Sequence, residues 1–136
     1  MVNKNKVVLF VLGICCMALW SCSTSPDAVR ERIEFNGEWR FCLGDPPGAA
    51  ETDFADAGWR MLDLPHDWAI EGDFSKDNPS GTGGGALPGG IGWYRKTFVP
   101  EKSDSDKKLR IVFDGVYMNS EVYLNGVSLG HRPYGY

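Results

Sequence analysis

The sequence has few of the residues that build metal and disulfide sites. It contains two histidines, His66 and His131, and neither has a companion at metal-ligand spacing. Of its four cysteines, three lie within the first 22 residues, so Cys42 is alone in the remainder of the chain. The sequence therefore predicts no metal site and no disulfide framework, and Cys42 is best explained as an apolar filler.

The sequence also lacks an excess of basic residues and a helical repeat. Its 14 Lys and Arg residues and 18 Asp and Glu residues give a formal net charge of −4, which argues against nucleic acid as a partner. After Trp20, no run of ten or more residues places apolar side chains at helical spacing. Short apolar runs separated by turn-forming residues predict an all-β fold, and favour a β-sandwich over a barrel.

The beginning of the chain has the order of an export signal. Lys4 and Lys6 precede fourteen largely apolar residues, Val7 to Trp20, and the sequence then becomes polar. Fourteen residues span about 21 Å as a helix, whereas a bilayer core measures about 30 Å. A permanent transmembrane helix is therefore the weaker interpretation.

Cys22 is the predicted lipidation site. Leu19-Trp20-Ser21-Cys22 is similar to the bacterial lipobox, although the position of Trp20 is usually occupied by a small residue. The favoured interpretation is a lipoprotein signal peptide over residues 1–22 and a tether over residues 23–31. It predicts an exported protein, in the periplasm or at the cell surface, anchored in the outer membrane by its lipid. Ordinary secretory cleavage and an uncleaved anchor are the alternatives.

Strand patterns occupy the rest of the chain. Asn125-Gly126 lies between two short apolar segments and supplies the positive φ values that a type I′ hairpin turn requires. A second pair, Asn36-Gly37, predicts a turn or hairpin within residues 33–41. The other predicted strands are residues 60–64, 93–99, 109–114, 116–124 and 127–130.

Residues 79–92 form a long glycine-dominated segment, PSGTGGGALPGGIG. Within it, Gly81 to Ala86 match the dinucleotide pattern G-x-G-x-x-G/A. That pattern functions between a strand and the beginning of a helix, and proline-containing segments flank it here. The sequence therefore predicts no nucleotide and no other cofactor. A loop of this length inside a domain is usually functional or disordered.

Aromatic side chains next to this segment are candidate ligand contacts. Trp68 and Trp93 flank the loop, and such rings can stack on sugars, although burial in a core is equally common for them. His66 and Asp67 are a possible acid–base pair, but adjacent strand residues point to opposite faces. Local hydrogen bonding is therefore the favoured interpretation of that pair.

Several segments together resemble the sugar-binding domain that opens glycoside hydrolases of family 2. That family includes β-galactosidases, β-glucuronidases and β-mannosidases, and the glycine-rich insert after LPHDW is most similar to its β-galactosidases. The resemblance covers residues 32–136. It is carried by FNGEWRF (35–41), FADAGWRMLDLPHDW (54–68), GGIGWYRKTF (89–98), RIVFDGVYMNSEVYLNGVSLG (110–130) and HRPYGY (131–136).

The resemblance implies a jelly-roll-like β-sandwich over residues 32–136, incomplete at its carboxyl end. It also implies a retaining β-galactosidase whose two catalytic glutamates belong to a barrel outside this chain. No catalytic residue is predicted here, and the fragment alone is expected to be inactive. The implied partners are that barrel and a carbohydrate substrate. The predicted substrate-binding residues are Asp77, Asn78, Trp68, Trp93 and Tyr134.

Two other functions fit parts of the same pattern. One is a non-catalytic carbohydrate-binding lipoprotein, and the other is an adhesion-type β-sandwich, which the family resemblance disfavours. An incomplete sandwich leaves a strand edge unpaired and apolar surface uncovered, so residues 23–136 alone are expected to be marginally stable.

Overall fold

Five short strands form two separate antiparallel sheets in the computed structural model, which describes residues 30–135. Every helix among these residues is a single short 3-10 turn, which confirms the all-β prediction. The strands are β1 (Trp39–Leu43), β2 (Arg60–Leu62), β3 (Gly92–Arg95), β4 (Met118–Leu124) and β5 (Val127–Tyr134). The 3-10 turns are Trp68–Glu71, Thr82–Gly84 and Lys102–Asp104.

The signal peptide and Cys22 lie outside the described residues, as does most of the tether. Within residues 30–135, no helix is long and apolar enough to cross a membrane.

The first sheet has the strand order β2-β1-β3 and two chemically different faces. Because neighbouring strand residues point to opposite sides, the register assigns each side chain to a face. Phe41 pairs with Tyr94 and Arg60, and these three define the aromatic face. Arg40 pairs with Arg95 and Met61 on the opposite side, which we call the cationic face.

The second sheet is the hairpin that Asn125-Gly126 predicts. Both turn residues have positive φ, 50° for Asn125 and 80° for Gly126, which confirms the turn prediction. Strand β5 extends to Tyr134, further than predicted, because a register shift lets it continue along β4. Gly130, with φ of 111°, lies at this irregularity, where a residue with a side chain would be strained.

One strand prediction was wrong, and of the turn or hairpin predicted at Asn36-Gly37 the hairpin did not form. Residues 109–114 alternate correctly but form no strand, because no described strand lies beside them to exchange backbone hydrogen bonds. Asn36-Gly37 makes a bend rather than a hairpin: the Leu64 amide donates to the Asn36 carbonyl at 2.9 Å, and residues 33–36 form no strand. The positive φ in this bend lies at Glu38, whose amide donates to the Asp63 carboxylate at 2.8 Å.

The buried core of the described residues is small. Phe41, 6% exposed, and Ala49, 2% exposed, are its apolar members. Trp93 reaches from the first sheet to Tyr123 in the second, where the two rings stack with their centroids 5.6 Å apart and their planes inclined by 29°. Large apolar side chains between residues 109 and 134 remain exposed, so the two sheets leave an open apolar surface.

Candidate functional site

The glycine-rich loop is held closed by its own hydrogen bonds. The two amide hydrogens of Asn78 donate to the Asp73 carbonyl at 2.9 Å and to the Ala86 carbonyl at 2.7 Å. The Ser75 amide donates to the same Ala86 carbonyl at 3.0 Å, and the Ser80 hydroxyl donates to the Leu87 carbonyl at 2.6 Å. The loop therefore has a defined conformation, with its two halves joined across a narrow neck.

Trp68 lies against the base of this loop, on the aromatic face. The side chain of Asp67 accepts the Ala69 amide at 3.0 Å and begins the 3-10 turn that carries Trp68. A β-carbon at Gly92 would lie 2.8 Å from Trp68 Nε1 and 3.0 Å from Phe41 Cε2. Only glycine allows the indole to approach β3 this closely. Trp68 is therefore half-buried between the strand and the loop.

Trp93 lies in β3, and its side chain is on the cationic face, opposite to Trp68. Its Nε1 donates to the Asp45 carboxylate at 2.8 Å, and its ring stacks on Tyr123. Burial and the neighbouring Glu121 raise the pKa of Tyr123. Trp68 and Trp93 are both predicted sugar-binding residues, yet they lie on different sides of the sheet. They therefore do not form one stacking platform.

His66 is the centre of a hydrogen-bonded cluster on the aromatic face. Its side chain is 11% exposed, Nδ1 lies 2.8 Å from the Tyr94 hydroxyl, and Nε2 lies 2.7 Å from Arg60 Nη2. Nε2 also lies 3.2 Å from Glu71 Oε1. A guanidinium only donates and a carboxylate oxygen accepts, so the His66 tautomer sets which of these two contacts Nε2 makes as a hydrogen bond. Arg60 also donates to both oxygens of Glu71 at 2.9 Å. Asp67 caps its turn instead of pairing with His66, as the local interpretation of this dipeptide expects.

Hydrogen bonds and burial shift the pKa values of two residues in this cluster, Glu71 and Tyr94. The Arg60 guanidinium holds the pKa of Glu71 below its ordinary value. A carboxylate whose pKa is lowered by folding contributes stability above its unfolded pKa, and this contribution is lost as the pH falls through the folded value. Burial raises the pKa of Tyr94, and the Asp67 charge acts in the same direction. Tyr94 therefore stays protonated at neutral pH.

The remaining predicted contacts are exposed and lie apart in the fold. Asp77 is exposed on the loop, and its amide donates to the Ser75 hydroxyl at 3.2 Å. Tyr134, 74% exposed, lies at the end of β5. The roles of all five predicted substrate-binding residues stay predictions. Sequence reasoning missed the exposed ring of Phe74, although its position beside the glycine-rich segment was visible.

A polar cavity of about 320 Å³ lies on the cationic face. The carboxylate of Asp56, one of its lining residues, accepts a hydrogen bond from Arg95 Nε at 3.1 Å and lies 3.5 Å from Arg40 Nε. Arg40 and Arg95 share this carboxylate, so both guanidinium groups form ion pairs within the cavity wall. Its lining residues are Glu38, Arg40, Asp56, Met61, Arg95, Lys96 and Thr97. Across residues 30–135, no three His, Cys, Asp or Glu side chains are grouped to hold a metal ion.

Known proteins match most of this chain. It is 69% identical over 119 residues to a β-galactosidase of Bacteroides ovatus, a match that covers 87% of the chain and 14% of the relative. It is 48% identical over 136 residues to a putative β-glucuronidase of Formosa agariphila, covering 98% of the chain and 13% of the relative. The chain thus spans about a seventh of the length of these curated relatives. No protein-family model matches it.

Solved structures share the fold. A β-glycosidase from Bacteroides vulgatus superposes with a TM-score of 0.75 at 48% identity, over 79% of this chain and 14% of that one. A glycosyl hydrolase family 2 member from Bacteroides cellulosilyticus gives a TM-score of 0.68 at 33% identity, over 76% of this chain and 14% of that one. Sequence and structure agree over one domain-sized segment, and over that segment this chain belongs to glycoside hydrolase family 2.

Proposed function

We propose that the chain is the sugar-binding domain of an exported β-galactosidase that hydrolyses terminal β-galactosides. The observation that carries this proposal is the 69% identity to a β-galactosidase over 119 residues. Two domains this similar in sequence have the same fold and closely similar surfaces. The chain's likeness to a putative β-glucuronidase, at 48% identity, makes a β-glucuronide the comparison substrate.

The domain itself contributes a scaffold and part of a pocket wall. In this proposal the domain is a jelly-roll-like β-sandwich, and the two glutamates of a retaining mechanism belong to a catalytic barrel. The loop between Gly72 and Gly92 forms part of the wall that contacts substrate. Its closed conformation supports this role, because a preorganised wall loses little conformational entropy when a sugar binds.

The experiment is to express the protein of the complete reading frame and assay it on matched p-nitrophenyl β-galactoside and β-glucuronide. We expect hydrolysis of the galactoside with at least a tenfold preference in kcat/KM, and NMR detection of the β-anomer as the first product. Residues 23–136 alone should give no turnover. A preference for the glucuronide would reject the substrate, and an α-anomeric first product would reject the retaining mechanism.

Cys22 is the proposed membrane attachment point. In a bacterial host fed an alkyne fatty acid, the full-length protein should incorporate the label and sediment with membranes. Cys22→Ala should abolish labelling, whereas Cys16→Ala is the control and should leave it intact. Labelling that persists in Cys22→Ala would assign the lipid to another residue. The absence of label in the wild type would favour ordinary secretory cleavage if the protein is found in the soluble fraction, and an uncleaved anchor if it still sediments with membranes.

A further inference from the structure

Phe74 is an exposed aromatic ring in residues 73–78, the segment that leads into the glycine-rich loop. It leaves 75% of its surface in solvent, and Asp73 and Asp77, in the same segment, are also exposed. An exposed ring adds almost nothing to the stability of the fold, because it removes little apolar surface from water. Packing among the described residues therefore gives no reason for an aromatic side chain at this position.

The backbone on both sides of Phe74 is fixed. The Asp73 carbonyl accepts a hydrogen bond from Asn78, and the Ser75 amide donates to Ala86. The Ser75 carbonyl also accepts a hydrogen bond from the backbone amide of Asn78 at 3.1 Å. Phe74 is thus held in place by its neighbours, so a ligand that contacts the ring meets a preorganised surface.

The Asn78 side chain contributes two of the hydrogen bonds that order this loop. Six of the ten residues from Gly81 to Gly90 are glycine, and each loses more conformational freedom on ordering than any other residue would. The two Asn78 hydrogen bonds oppose that cost by joining the loop at positions 73 and 86. Both hydrogens of the Asn78 side-chain amide are used in these two hydrogen bonds.

We propose that Phe74 is a substrate-contacting residue that stacks on a pyranose ring, and that Asn78 is the positioning residue that holds it there. This inference rests on the function proposed above. An aromatic ring matches the apolar face of a pyranose, and the flanking carboxylates of Asp73 and Asp77 can accept hydrogen bonds from its hydroxyls. The combination of one flat apolar surface with acceptors beside it fits a neutral sugar better than an anionic one.

The contact is tested in the full-length enzyme with a disaccharide that ends in β-galactose. Phe74→Ala should raise KM two- to tenfold, the range expected for one aromatic contact, and Phe74→Trp should restore it. Val99→Ala is the control, since Val99 is 87% exposed but lies outside the loop, and it should leave KM unchanged. An unchanged KM in Phe74→Ala would overturn the contact while wild-type turnover still supported the proposed function.

The positioning role is tested by hydrogen exchange in the same protein. Asn78→Ala and the near-isosteric Asn78→Asp should raise KM about as much as Phe74→Ala and should speed amide exchange in residues 79–86. Phe74→Ala should leave that exchange unchanged. A raised KM with unchanged exchange in both Asn78 variants would make Asn78 a direct contact and overturn its positioning role. If the wild type turns over no β-glycoside, the proposed function fails, and calorimetric binding of the disaccharide then decides the contact.

Discussion

Replacing Phe41 with alanine should destabilise the first sheet by about 3–5 kcal/mol, the usual cost of removing a buried phenylalanine ring. Phe41 is the one nearly buried aromatic side chain among the described residues. Its ring contacts His66 and Tyr94 at centroid distances of 4.9 Å, and the Arg60 guanidinium lies 5.2 Å above it. Phe41→Ala would therefore leave a cavity in place of the ring against which His66, Tyr94 and Arg60 pack.

Hydrogen exchange in the full-length protein measures this change. Protection of the β1 and β3 amides should fall in Phe41→Ala, whereas Phe41→Leu, which keeps most of the volume, should cost about 1.5 kcal/mol or less. Equal protection in the wild type and Phe41→Ala would show that other contacts hold this sheet together.

Removing the Arg95 side chain should release the segment between β1 and β2, at a cost of about 2–4 kcal/mol. Arg95 Nη1 donates to the Ala49 carbonyl at 2.6 Å and the Glu51 carbonyl at 3.0 Å, while its Nε donates to Asp56. One guanidinium thus binds three points of a segment that has no strand of its own. Truncation would remove the guanidinium from the part-buried Ala49 carbonyl, whereas the Glu51 carbonyl would keep the Phe54 amide and Asp56 would keep Arg40.

Limited proteolysis of the full-length protein reports on this segment. A protease that cleaves after acidic residues should cut Arg95→Ala after Glu51 much faster than the wild type. Arg95→Lys should be cut at an intermediate rate, because an ammonium group cannot make all the hydrogen bonds of the planar guanidinium. The exposed Lys108 offers a matched control, and Lys108→Ala should be cleaved like the wild type. Equal cleavage of Arg95→Ala and the wild type would refute the anchoring role.

The features predicted correctly from the sequence are those that depend on neighbouring residues. Asn125-Gly126 forms its turn because both φ values are intrinsic to that pair. Residues 109–114 have an equally clear alternation, yet a strand also needs a partner, which sequence spacing does not supply. Asn36-Gly37 makes a bend because the Leu64 amide, distant in sequence, binds the Asn36 carbonyl.

The candidate site was predictable in its location but not in its geometry. The glycine-rich composition identified the loop, whereas its shape depends on where the Asn78 side chain finds its two carbonyl partners. Trp68 and Trp93 looked equivalent because both flank the loop. The register of β1 with β3 places Trp93 on one face of the sheet, and the close approach of Trp68 to Gly92 places Trp68 on the other. His66 likewise has Tyr94 as a partner 28 residues away, a distance at which sequence pattern carries no information.

The neck of the glycine-rich loop also has a consequence for engineering. Because Asn78, Ser75 and Ser80 tie the loop to its own residues 86 and 87, its conformation is specified mainly from within. Such an autonomous segment is suitable for grafting between related domains with its shape retained. Exchanging residues 73–88 as one block should therefore transfer binding preference between homologous enzymes more successfully than point substitutions scattered along it.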